Sequence, residues 1–154
     1  MLVHAVKLDP RLTLARLRLA SAHARLGQTE RALEEIALST EHAADLPPLE
    51  SYRILGTHHL MRQELAEARR EFQALAHLYP EDWRAHFELG ETEYRSHDIP
   101  QAITAFRKAV SLDPTRVESL LGLGMASLTA GDTMGARQAW DRASLLEPAN
   151  GEVM

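Results

Sequence analysis

The sequence predicts an all-α chain of stacked helical hairpins, and three observations predict it. Pro80, Pro114 and Pro148 recur at intervals of 34 residues, with small and aromatic residues at matching offsets before each. Apolar residues between them recur at three and four residues, the spacing of one helix face, and strand alternation is absent. Breakers at Gly27-Gln28, Gln63-Glu64, His97-Asp98 and Gly131-Asp132 cut each copy into two helical runs. A fixed period of this length in helical sequence means hairpins that bury their apolar faces against their neighbours, without a closed globular core.

The first copy reads Arg16-x2-Leu19-Ala20-x2-His23, then Ala32-x3-Ile36, with Ala44 where the others carry proline, and places helices near 13–26 and 30–43. Its spacing is loose. Pro10 and Pro47 are 37 residues apart, and alignment on Leu19 and Ala32 leaves two residues extra before Leu49, so a wider hairpin or a longer second helix is expected. The second copy, Tyr52-x2-Leu55-Gly56-x2-His59 then Ala68-x3-Phe72 and Pro80, gives helices near 49–62 and 65–78. The third, His86-x2-Leu89-Gly90-x2-Glu93 then Ala102-x3-Phe106 and Pro114, gives 83–95 and 99–111. The fourth, Leu120-x2-Leu123-Gly124-x2-Ser127 then Ala136-x3-Trp140 and Pro148, gives 117–129 and 133–146. A proline after Leu-Asp or Leu-Glu, as at Pro114 and Pro148, closes the second helix by barring the preceding residue from the helical region. Ala20, Gly56, Gly90 and Gly124 on first helices, and Ala32, Ala68, Ala102 and Ala136 on second helices, let two backbones approach. Ile36, Phe72, Phe106 and Trp140 fill the wider gap one turn later.

This pattern resembles the tetratricopeptide repeat (TPR) family, specifically in copies two to four and more loosely in the first. The resemblance covers roughly residues 13–148 and implies a right-handed superhelical solenoid of four helix-turn-helix repeats. The repeats would run over about 13–46, 49–82, 83–116 and 117–150 of a single solenoid, 1–154, with 1–12 the tail of a preceding repeat. Half-repeats at both ends are expected, since His4 to Pro10 matches the close of a second helix and Ala149 to Met154 the opening of a first. A segment of a longer array is the expectation that follows.

Composition excludes several function classes. The 154 residues are 45% apolar and 25% charged, with 17 Lys and Arg against 22 Asp and Glu, a net charge of −5 and no basic stripe for nucleic acid. With no cysteine, disulfides, zinc ribbons and thiol catalysis fall away, and cytoplasm and periplasm both stay open. No apolar run approaches the roughly 18 residues of a membrane span. The eight histidines include no pair at the i, i+4 spacing of a zinc helix, and His23 and His59 occupy an inward position. Neither metal nor cofactor is expected. Glu34-Glu35, Arg69-Arg70-Glu71 and Arg107-Lys108 read as solvated outer faces, and Gly122-Leu123-Gly124 lies within a helix, so no catalytic constellation stands out.

Rotation of about 100° per residue puts the signature residues of each first helix against neighbouring helices and leaves the opposite side open. With the family's superhelical twist, those open sides would line a concave groove carrying Leu17, Arg18, Arg53, Thr57, Leu60, Arg84, Phe87, Glu91, Tyr94, Arg95, Leu121, Met125 and Leu128. Phe87, Tyr94, Leu60, Leu121 and Leu128 would anchor apolar side chains, Met125 would adapt to shape, and Arg53, Arg84 and Arg95 would pair with carboxylates. Packing of these apolar residues against one another is the plainer alternative. A subset of the family grips chaperone carboxy termini with Lys and Asn at set positions. Here those positions hold Leu17, Ser21, Ile54, Arg84 and Glu88, or, one copy on, Arg53, Thr57, Glu88, Glu118 and Gly122, and neither set supplies the clamp. The expected function is a non-enzymatic scaffold that binds a protein, peptide or amphipathic helix. Alternatives are the arm of a larger enzyme such as a glycosyltransferase, a secretion or pilus assembly component, or a module that self-assembles through exposed end repeats.

Overall fold

Residues 10–147 are described by the computed structural model, and every regular element among them is helical. Eight α-helices follow in order: α1 (Pro10–Arg25), α2 (Thr29–Thr40), α3 (Pro48–Met61), α4 (Leu65–Leu78), α5 (Trp83–Arg95), α6 (Ile99–Leu112), α7 (Val117–Thr129) and α8 (Thr133–Leu146). The expected half-repeats, apart from Pro10, fall outside the described residues, as does Pro148. The chain divides into two compact units, Met1–Leu75 and Ala76–Met154.

All four hairpin turns use one device. Gly27, Gln63, His97 and Gly131 adopt positive φ, at 72°, 63°, 61° and 84°. Just beyond each, the backbone N–H of Gln28, Glu64, Asp98 and Asp132 donates back to the carbonyl of His23, His59, Glu93 and Ser127 respectively, at 2.9–3.0 Å. A left-handed residue followed by this return bond is the Schellman closure, which satisfies carbonyls that the helix end would leave bare. Asp98 and Asp132 then cap the next helix as well, accepting from Gln101 N at 3.4 Å and Gly135 N at 2.8 Å. Gln28 and Glu64 instead accept from the imidazole Nδ1 of His23 and His59, both at 2.7 Å. One residue thereby serves both helices of its turn.

Close packing follows the small residues. Ala32, Ala68, Ala102 and Ala136 are at most 2% exposed. A Cβ at Gly56 would stand 2.7 Å from the Phe72 ring, and one at Gly90 2.8 Å from Phe106. A Cβ at Gly124 would strike Trp140. In the first unit Leu17, Ala20, Ile36, Ala43 and Ile54 form the core. The second unit packs Ala102, Phe106 and Ala126 in one cluster and Val110, Leu120 and Ala143 in another.

The looseness of the first copy resolves differently from the expectation of a longer second helix. Helix α2 stops at Thr40, and the extra residues form a short 3-10 turn, Ala43–Asp45, with Ala43 buried in the core. Pro47 accounts for the stop that follows, because it holds Leu46 extended at φ −93°, ψ 158°. Between α6 and α7, Asp113 is likewise extended before Pro114, at φ −141°, ψ 93°.

Candidate partner-binding site

In the second unit, α5 and α7 flank α6 and are clasped at both ends. At their starts the Arg116 guanidinium lies 4.7 Å from the Trp83 ring centroid, steered by its bond from Nε to Asp113 at 2.7 Å. At their ends the hydroxyls of Tyr94 and Thr129 meet at 3.1 Å. Between the clasps lies a hollow of about 320 Å³. Phe106 of α6 forms its floor and Phe87 flanks it, the two ring centroids 5.9 Å apart. Leu121 and Met125 rise from α7, and both are about half exposed, at 47% and 49%.

Gly122 packs directly on the floor, where the Phe106 ring is 2% exposed. A Cβ there would stand 2.6 Å from Phe106, so any larger residue would displace or cover the ring. Equivalent positions in the other first helices hold Arg18, Ile54 and Glu88. The sequence carried this signal, a glycine not required by the signature. Its meaning depended on which ring lay beneath it.

Charge is unevenly placed around the hollow. Glu91 on α5 and Glu118 on α7 line it, with Arg95. Burial pushes the Glu91 carboxyl above its usual range, and the nearby Arg95 guanidinium opposes that only in part. Arg84 is engaged with Glu88, Nε to carboxylate 3.2 Å.

Of the thirteen residues expected in a groove, the hollow gathers Phe87, Glu91, Tyr94, Arg95, Leu121 and Met125. Arg84 and Leu128 are exposed on the same two helices but do not line it. In the first unit Arg18 is exposed and Thr57 half-buried. Leu17, expected on the open side, is 4% exposed and packs into the core with Ala20 and Ile36. Arg53 and Leu60 are also buried, each 8% exposed. An apolar helix position between two neighbours packs inward when the neighbour's small residue makes room. Phe106 and Gly122 line the hollow without having been expected in the site, and Glu118 lines it from the side of its helix expected to stay open. Among the described residues no group of three or more His, Cys, Asp or Glu is placed to hold a metal ion, and no helix is long and apolar enough to cross a membrane.

Comparison with known proteins places the hairpins in a family. The tetratricopeptide repeat model matches residues 55–117 and again 90–152, together more than half of the chain. The mouse protein O-mannosyl-transferase TMTC1 is 30% identical over 149 residues, covering 93% of this chain and 15% of that protein. A putative cellulose synthase operon protein C from Escherichia coli O157:H7 is 30% identical over 103 residues, 63% of this chain and 9% of that protein. The chain thus spans under a fifth of the length of these curated relatives. Among solved structures, a crystal structure of MamA matches with a TM-score of 0.65 and 22% identity, covering 97% of this chain and 86% of that one. The TPR2B domain of yeast Sti1, in a pHsp70 complex, matches with a TM-score of 0.64 and 21% identity over 68% of this chain and 86% of that one. The period, the small-residue contacts and the family match agree, and the chain belongs to the tetratricopeptide repeat family.

Proposed function

We propose that the chain is a non-enzymatic protein-interaction scaffold, and that the hollow between α5 and α7 receives a side chain from a partner peptide or amphipathic helix. The carrying observation is a hollow walled by half-exposed Leu121 and Met125 between helices already clasped at both ends. A site that is formed before the guest arrives loses less entropy on binding. Half-exposed Leu121 and Met125 supply the apolar walls that a helix-in-groove contact uses. The solved complex of Sti1 TPR2B with pHsp70 supports partner binding as a use of this fold. Selection from a random peptide library tests the reading. Selected peptides should lose binding to a folded Leu121→Ser, Met125→Ser variant, and equal binding by both proteins would remove the hollow as the site.

A second reading is that the chain serves as the non-catalytic arm of a larger enzyme or of an assembly or secretion component. The curated relatives favour it, since this chain matches 15% and 9% of their lengths and the first is named a transferase. The full-length gene decides between an independent scaffold and an arm. A module that self-assembles would appear instead as a size that grows with concentration in sedimentation.

A further inference from the structure

The hollow combines an apolar floor with an acidic group on each side wall, Glu91 from α5 and Glu118 from α7. Among the described residues neither carboxylate accepts a hydrogen bond or closes an ion pair within 4 Å. The cations around it are mostly committed elsewhere. Arg84 Nε lies 3.2 Å from Glu88, and Arg116 Nε lies 2.7 Å from Asp113 while its guanidinium covers Trp83. Arg95 alone among the described cations lines the hollow, and it is exposed to water.

We propose, building on the reading that this hollow holds a partner side chain, that its guest is a basic amphipathic segment. A large apolar side chain seats against Leu121 and Met125, and a lysine or arginine beside it pairs with Glu91 and Glu118. Removing a carboxylate from water without a counter-charge is costly, and an arriving cation relieves that cost while it forms charge-assisted hydrogen bonds. A guest carboxylate would instead bring a like charge to a partly dehydrated acid, which is the repulsive half of specificity. The upward push on the Glu91 carboxyl comes from its burial, which the Arg95 charge offsets only in part. The fourth copy is singled out by sequence, since positions equivalent to Gly122 hold Arg18, Ile54 and Glu88.

The test uses three labelled helical peptides that share one apolar pattern and carry Lys, Gln or Glu at every other position. Each is titrated by fluorescence anisotropy against the wild type, a Glu91→Gln, Glu118→Gln variant and the Leu121→Ser, Met125→Ser variant, with circular dichroism confirming that all three proteins fold. The Lys peptide should bind at least about tenfold more tightly than the Glu peptide, the scale of one hydrogen bond to a charged group. That preference should vanish in the Glu91→Gln, Glu118→Gln variant. If the Gln or Glu peptide binds wild type as tightly as the Lys peptide, or the preference survives in that variant, the basic-guest inference is overturned. If the apolar variant still weakens all three peptides, the hollow stands as the site even so. Unchanged binding by the apolar variant, or no binding by any peptide, overturns the hollow itself.

Discussion

Phe106 lies beneath two glycines at once, Gly90 on α5 and Gly122 on α7, and touches Phe87 as well. Truncating it opens a cavity between three helices, so Phe106→Ala should cost about 3–5 kcal/mol in urea unfolding; a change within error would discredit its central place. His97 and Gln63 hold the left-handed turn position where the first and fourth hairpins carry glycine. The strain of about 1–2 kcal/mol for an L-residue outweighs the roughly 0.5–1 kcal/mol entropic cost of glycine. His97→Gly should therefore stabilise by somewhat under about 1 kcal/mol, and a lower melting temperature would refute that ordering. The Glu64 carboxyl is drawn from 4.5 to about 2, first by its bond from Arg62 and then by that from His59. A depressed acid contributes fully above its unfolded value and loses that contribution as pH falls, here between 4.5 and about 2. Wild type and Glu64→Gln should differ in melting temperature at neutral pH and converge on acidification. A constant gap would remove the ion pair from the account.

Each helix pair is a closed piece of local chemistry, and most of it was legible in the sequence. The breakers at Gly27-Gln28, Gln63-Glu64, His97-Asp98 and Gly131-Asp132 marked turns that the structure places at the same residues. The ends of α4, α5, α7 and α8 fall where periodicity and proline put them. What stayed illegible was the first copy, because two surplus residues say that length must be absorbed without saying how. The structure absorbs it in the Ala43–Asp45 turn, where burial of Ala43 outweighs continuing α2. The double duty of Asp132 was hidden as well, since capping depends on turn geometry. Asp132→Ala should cost about 1 kcal/mol through lost capping of α8, measured by urea unfolding, whereas Gln28→Ala removes only a side-chain bond to His23. Equal losses would show that the aspartate cap contributes nothing of its own.

Across the molecule, the 34-residue period and the buried Ala32, Ala68, Ala102 and Ala136 say the same thing about packing. Family and repeat architecture could be read from spacing because small residues are required wherever two helix backbones meet. The site was legible in part. Phe87, Glu91, Tyr94, Arg95, Leu121 and Met125 gather around the hollow, while Leu17, Arg53 and Leu60 are buried. Helical periodicity identifies a face but does not tell an apolar residue awaiting a partner from one already covered by a neighbouring helix. Gly122 gained its meaning only from the ring beneath it. The most direct measurement is methyl NMR of the protein with a bound library-selected peptide. The Met125 and Leu121 methyls should shift most, with nuclear Overhauser contacts from the guest to both. Shifts confined to the outer faces of α6 and α8, with Met125 and Leu121 unmoved, would contradict the account.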